Sequence, residues 1–143
     1  MKKPKQIIAL MISTLVLLSS TELLFGDETN PMMRFPDIHK DNVVFVSAGD
    51  IWIAPVSGGE AKRLTIHDGN ERYPKFSPNG KFIAFTGEYD GNSDVYVMNI
   101  NGGNITRLTF NPAYDEVLGW HPTENKILFR SRRAPGTGIP TSR

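Results

Sequence analysis

The sequence contains no cysteine, so it can build neither a disulfide framework nor a cysteine-based zinc site. A lipid-modified cysteine anchor is excluded on the same ground. There is also almost no net charge, +1 overall. The small excess sits in Lys2, Lys3 and Lys5, and residues 27–143 carry 13 basic against 14 acidic side chains. That leaves no basic footprint for nucleic acid. Beyond residue 26 no segment sustains a 3.6-residue apolar period, which argues against helical bundles and two-helix solenoids. Glycine and proline, by contrast, are plentiful, with 13 and 10 copies in 143 residues. Many turns between short strands follow from that composition, in a chain about one domain long.

The front of the chain reads as an export signal. Lys2-Lys3-Pro4-Lys5 is a positive n-region, and residues 7–18 (IIALMISTLVLL) are an apolar run broken only by Ser13 and Thr14. The run is short for a membrane span, which needs about 20 apolar residues, and the layout is that of a secretory signal peptide. Residues 1–26 are therefore assigned as signal and 27–33 as linker, with an uncleaved N-terminal anchor as the alternative. Leu24-Phe25-Gly26 is a poor small-x-small cleavage site. The expected location is periplasmic or secreted.

Internal repetition carries most of the information. Gly58-Gly59-Glu60-Ala61-Lys62-Arg63-Leu64-Thr65 returns as Gly102-Gly103-Asn104-Ile105-Thr106-Arg107-Leu108-Thr109, 44 residues on. At the same offset, Asp50-Ile51-Trp52-Ile53 returns as Asp94-Val95-Tyr96-Val97. Phe76-Ser77-Pro78 answers to Trp120-His121-Pro122, and Ile83-Ala84-Phe85 to Ile127-Leu128-Phe129. The middle unit reads as four strands, at residues 73–77, 81–86, 94–99 and 105–110. A Pro78-Asn79-Gly80 turn joins the first two, and Gly102-Gly103 precedes the fourth. Four strands in about 44 residues match one β-propeller blade. A blade is apolar on both faces and must stack on neighbours. A β-sandwich would not repeat its sequence at a fixed offset.

The expected architecture is all-β, a partial propeller of four-stranded antiparallel blades at about 34–65, 66–110 and 111–143. The third blade is truncated after strands at 117–120 and 126–131, leaving about two and a half blades. Propellers need about 4–8 blades to close, so the chain is expected to be a fragment. Expressed alone, it should be unstable or aggregated.

Phe76-Ser77-Pro78-Asn79-Gly80-Lys81, Ile83-Ala84-Phe85, Asp94-Val95-Tyr96-Val97-Met98, Gly102-Gly103 and Arg107-Leu108-Thr109 resemble the Pro-Asp-type propeller repeats. Those repeats occur in TolB, in prolyl-oligopeptidase-type peptidases and in tricorn-type proteases; Asn79 stands where Asp is usual. Arg34-Phe35-Pro36-Asp37-Ile38-His39, Val43-Val44-Phe45-Val46, Gly49-Asp50-Ile51-Trp52 and Val117-Leu118-Gly119-Trp120 resemble the first propeller of the tricorn protease family. The resemblance spans about residues 32–143. It implies a large serine peptidase with two propellers, a PDZ domain and a C-terminal catalytic domain. The first propeller would admit or filter peptides. Peptide substrates, the remaining domains of the parent chain and a homo-oligomer at full length are the implied partners. The family's catalytic Ser, His and Glu lie far C-terminal, so none is carried over here. The family's loop between blades two and three holds a basic pair implied to grip the peptide carboxylate. The matching loop here, Asn111-Pro112-Ala113-Tyr114-Asp115, has none, and Arg132-Arg133 belongs to a later loop. A TolB-like binding propeller and the propeller of a prolyl-oligopeptidase-type enzyme are the alternatives.

No catalytic, cofactor or metal site is assigned. Ser47, Ser57, Ser77, His39, His67, His121 and Asp50 supply triad residue types, but a triad is defined by geometry and no Gly-x-Ser-x-Gly elbow exists. Asp90-Gly91-Asn92-Ser93-Asp94 begins like a calcium loop, then fails at Val95 and Asn101, where glycine and glutamate are needed. The three histidines lack metal-ligand spacing. Trp52 and Trp120 read as blade-core residues, and Asp50 and Asp94 as backbone caps.

Overall fold

The computed structural model describes residues 32–133. The segment read as a signal peptide, all but the end of the linker, and the tail from residue 134 lie outside the described residues. The described chain is all-β, with ten strands: β1 (Arg34–His39), β2 (Asn42–Ser47), β3 (Asp50–Pro55), β4 (Lys62–Arg63), β5 (Glu71–Phe76), β6 (Phe82–Gly87), β7 (Asp94–Asn99), β8 (Thr106–Arg107), β9 (Asp115–Trp120) and β10 (Ile127–Ser131). They form two four-stranded antiparallel sheets, β1-β2-β3-β4 and β5-β6-β7-β8, and a two-stranded sheet of β9 and β10. This is the all-β, partial-propeller architecture expected from the repeat.

Register explains where the 44-residue spacing holds. Phe45 pairs with Trp52, and Phe85 with Tyr96, so β7 follows β3 by 44 residues but β6 follows β2 by only 40. The difference lies in the turns. Ala48 and Gly49 alone join β2 to β3, both at positive φ (52° and 90°), as a two-residue type I′ turn requires. Six residues, 88–93, join β6 to β7.

Strand ends differ from the sequence reading. The fourth strand of the middle sheet covers only Thr106–Arg107 instead of residues 105–110. After Leu108 N–H bonds Val95 C=O at 2.8 Å, the next ladder acceptor is replaced. Val95 N–H goes to the Thr109 hydroxyl at 3.0 Å. Side chain substitutes for backbone, and the strand stops. Conversely β5 starts at Glu71, because Glu71 N–H reaches Gly49 C=O of the preceding sheet at 2.9 Å. Asp115 N–H does the same to Ser93 C=O at 2.9 Å, so β9 starts early as well.

The core lies between the sheets. Successive strand residues face opposite ways, so each sheet feeds two layers. Val44, Val46 and Ile51 meet Phe76, Ile83, Phe85, Tyr96 and Met98 between the first and second sheets. Ala84 and Val95, from the other face of the second sheet, meet Val117, with Trp120, Ile127 and Phe129 packed alongside. Burying each large apolar side chain in these layers contributes about 1.5–3 kcal/mol. Trp120 therefore sits at a core layer, its indole N–H donating to Lys75 C=O at 2.9 Å. Trp52 does not. It opposes Phe45 on the face turned away from the second sheet, and its N–H bonds Ser47 C=O at 3.1 Å.

The sheets converge on their first strands, where β1 contacts β5 and β5 contacts β9. Both β1 and β5 carry a bulge at an aromatic–proline pair. Phe35 and Tyr73 hold φ of 53° and 52° there, with ring centroids 4.4 Å apart. A bulky residue in that region costs about 1–3 kcal/mol.

Candidate functional site

The buried polar groups gather at the junctions between sheets. At the start of β3, Asp50 accepts from Arg63 Nη2 at 2.5 Å, while Arg63 Nε bonds the Thr65 carbonyl at 3.0 Å. At the start of β7, Asp94 accepts from Arg107 Nη2 at 2.6 Å, and Arg107 Nε bonds the Thr109 carbonyl at 2.8 Å. The Arg-Leu-Thr motif thus folds each fourth strand back onto the first residue of the third. Its threonine hydroxyl takes the N–H of the next residue, Ile51 at 2.8 Å and Val95 at 3.0 Å.

An acid from the following sheet completes the first junction. Glu71 Oε2 accepts from Ile51 N–H at 3.0 Å and from the Thr65 hydroxyl. Glu71 Oε1 accepts from the Tyr89 hydroxyl. His67 stacks on Tyr89 with ring centroids 3.8 Å apart, and its backbone N–H reaches Asp50 Oδ1 at 3.3 Å. Burial pushes the Glu71 carboxyl above its ordinary value; bonds from Thr65, Tyr89 and Ile51 oppose the rise, and the Asp50 charge adds to it. Burial and the Glu71 carboxylate push the Tyr89 phenol up as well. With both oxygens occupied by fixed donors and the residue 1% exposed, Glu71 is a clasp between sheets and is badly placed to exchange protons with a substrate.

The second junction is built differently. Asp115 stands 44 residues after Glu71, and Arg133 44 after Tyr89. Arg133 Nη2 donates to Asp115 Oδ2 at 2.7 Å. The shorter acid does not reach the Thr109 hydroxyl, which donates to Asp94 Oδ1 at 3.0 Å instead. Asp115 Oδ1 and Arg133 Nε have no hydrogen-bond partner among the described residues. Arg132 lies over the Tyr114 ring, 5.0 Å from its centroid. The β9–β10 hairpin therefore brings Arg132-Arg133 against the Asn111–Asp115 loop, an adjacency that sequence order hides.

The triad residue types are dispersed. Ser77 Oγ accepts from Phe82 N–H at 3.0 Å and donates to Asn79 Oδ1 at 2.8 Å, fixing the β5–β6 turn. Ser47 is buried at the β2–β3 turn and Ser57 is exposed beyond β3. The His39 ring lies 5.8 Å from that of Phe76. His121 accepts from Glu124 N–H at 3.2 Å in the β9–β10 turn. Ser47 and Asp50 pair across the β2–β3 turn, and His67 meets Asp50 through its backbone N–H, not its ring. In the 90–94 loop, Asp90 pairs with Arg107 at 2.8 Å, Asn92 donates to Asn111 C=O at 3.1 Å, and Ser93 donates to Glu88 at 3.2 Å. Asp94 accepts from the same Arg107 guanidinium at 2.6 Å, so both carboxylates of the loop are paired with one arginine.

The residues missed by sequence reasoning are Glu71, Tyr89 and their counterparts. The acids at 71 and 115 share the repeat offset and could have been found that way. Tyr89 and Arg133 are chemically unlike and gave no such signal.

A groove of about 550 Å³ crosses the ends of the three first strands, lined by Asp37, Ile38, Lys75, Leu118, Gly119 and Trp120 among others. Asp37 bridges its floor, bonding Phe76 N–H at 2.8 Å and Lys75 Nζ at 3.1 Å. A Cβ added at Gly119 would meet nothing within 4 Å, so bare backbone faces this space. Ile38 and Leu118, 65% and 48% exposed, flank it.

Residues 30–141 match the model of the tricorn protease N-terminal beta propeller domain. Tricorn protease homolog 1 of Streptomyces coelicolor is 36% identical over 89 residues, covering 62% of this chain and 8% of that relative's length. Among solved structures, the crystal structure of the tricorn protease superposes with a TM-score of 0.58 at 25% identity, covering 64% of this chain and 10% of that one. A putative TolB from Agrobacterium tumefaciens gives 0.60 at 23% identity, covering 70% and 38%; that likeness is one of fold.

Proposed function

The chain belongs to the family of the tricorn protease N-terminal β-propeller domain, and we propose that it forms the peptide-admitting part of an exported serine peptidase. The groove across β1, β5 and β9 carries this reading. It offers an extended peptide apolar flanks at Ile38 and Leu118, an ion pair at Asp37–Lys75 and a position without a side chain at Gly119. The buried acids Asp50, Glu71, Asp94 and Asp115 are each committed to bonds that join strands or sheets. Chemistry is assigned to other parts of a longer protein, since the chain spans 8% of its tricorn homolog's length. Export rests on the Lys2-Lys3-Pro4-Lys5 segment and the apolar run after it.

Two measurements test the two halves. Expressed from Met1, the protein should fractionate outside the cytoplasm, and mass spectrometry of its N-terminus should begin near residue 27. Retention in the cytoplasm would sink the export half. A benzophenone-bearing random peptide pool should crosslink saturably to β1, β5 and β9. Labelling concentrated on β4 and β8 would remove the peptide-admitting role.

A further inference from the structure

We propose that the groove across β1, β5 and β9 contains a carboxylate seat at the end of β9, where an acidic side chain of a bound peptide takes Trp120 N–H and Lys75 Nζ. The inference rests on the reading of this groove as a peptide site and names the side chain it selects.

The protein carries its own precedent one sheet earlier. Ser77 N–H bonds Phe82 C=O at 2.9 Å. Backbone donors alternate along a strand, so Phe76 N–H, one residue before, turns away from β6 toward the inner edge of the sheet. There Asp37 Oδ2 accepts it at 2.8 Å, while Asp37 Oδ1 accepts from Lys75 Nζ at 3.1 Å. One backbone donor and one ammonium thus hold one carboxylate.

The repeat builds the same donor again without its acid. His121 N–H bonds Lys126 C=O at 2.8 Å, 44 residues on from the Ser77 bond, so Trp120 N–H turns inward as Phe76 N–H does. The acid on Phe76 comes from position 37 of the preceding sheet. Asp37 pairs with Val44, and Lys75 with Ala84, the same place in the next sheet. The residue that should cap Trp120 N–H is therefore Lys75, which has no acceptor to offer. Among the described residues Trp120 N–H has no acceptor.

The surroundings suit an incoming carboxylate. The Trp120 indole N–H donates to Lys75 C=O at 2.9 Å, which holds the two residues side by side. Lys75 keeps two donors after its bond to Asp37. Gly119 leaves the approach open, since a Cβ there would meet nothing within 4 Å. The other charged or titratable side chains lining the groove are Asp37, already paired, and His39. A bond from an ammonium to a carboxylate is about twice as strong as one to a neutral amide. The Asn111–Asp115 loop, with Arg132 and Arg133 against it, stands at the opposite end of β9 and takes no part.

The test is a titration of the full isotope-labelled chain with two N-acetylated, C-amidated peptides, Ala-Leu-Asp-Leu-Ala and Ala-Leu-Asn-Leu-Ala. Expected are a saturable shift of the Trp120 amide with the aspartyl peptide and about tenfold weaker binding of the asparaginyl one. Lys75→Gln should shrink that preference. Equal affinity of the two peptides, with shifts still in the groove, would overturn the carboxylate seat and leave the peptide reading standing. An undiminished preference in Lys75→Gln would also overturn it. Absent shifts with either peptide would remove both. Tighter binding of the asparaginyl peptide with a free C-terminus than of the aspartyl amide would overturn the side-chain assignment in favour of a chain terminus.

Discussion

Arg133 holds Asp115 at 2.7 Å, 44 residues on from the place where Tyr89 holds Glu71. The same joint between sheets is closed once by a phenol on a glutamate and once by a guanidinium on an aspartate. The guanidinium reaches further, and the carboxylate it meets is one methylene shorter. The two joints therefore respond differently to substitution.

The Glu71 carboxyl is raised above its ordinary value by burial. A carboxyl with a raised folded value favours the folded state when protonated. Its contribution is complete below the unfolded value near 4.5 and fades as pH rises through the folded one. Urea melts of the chain and of Glu71→Gln from pH 4 upward should show the native chain losing ground to the variant with increasing pH. The opposite slope would show that the three donors outweigh desolvation.

Thr109→Val should cost more than Thr65→Val. Val95 N–H is bonded to the Thr109 hydroxyl, whereas Ile51 N–H is shared by Thr65 and Glu71. Removing the Thr109 hydroxyl strands a buried donor, a loss of about 1–3 kcal/mol. Thermal melts of both variants decide the order.

Asp115→Glu should stabilise. The added methylene brings a carboxylate within reach of the Thr109 hydroxyl and Val95 N–H, as Glu71 reaches their counterparts. One more buried hydrogen bond contributes about 0.5–1.5 kcal/mol. A Tm at or below that of the native chain would contradict the equivalence of the two acids.

Gly80→Ala should be more damaging than Gly91→Ala. Both glycines hold positive φ, 69° and 85°. A Cβ at Gly80 would also stand 2.5 Å from the His39 ring, while at Gly91 it meets nothing within 4 Å. The backbone penalty of about 1 kcal/mol is common to both. The excess at Gly80 should disappear in a His39→Ala background.

The blade architecture was legible because the repeat acts on two levels at once. It matches strand patterns, and it matches turn chemistry such as Pro78-Asn79-Gly80, which the structure closes with Gly80 N–H on Ser77 C=O at 2.8 Å. The capping role read for Asp50 and Asp94 holds only in part: Asp50 takes the His67 backbone N–H at 3.3 Å but pairs more closely with Arg63, and the bonds of Asp94 among the described residues go to the side chains of Arg107 and Thr109. The short fourth strands were not legible. Ile105–Phe110 looks like continuous β, and only the geometry of Thr109 shows a hydroxyl taking over the ladder. Trp52 misled for a related reason. Its type fits a core position, but which face of a strand meets a neighbour depends on the stacking order of the sheets. Tyr89 and Arg133 escaped notice because their shared role is to donate to an acid, a property that residue similarity does not record.

Glu71 closes the first sheet from outside it. Ile51 N–H and the Thr65 hydroxyl find this acceptor only in the strand that opens the next sheet, and Asp115 N–H ties back to Ser93 in the same direction. Each sheet is therefore completed by the head of its successor, so a cut in the segment between β4 and β5 would deprive Ile51 N–H and the Thr65 hydroxyl of their Glu71 acceptor.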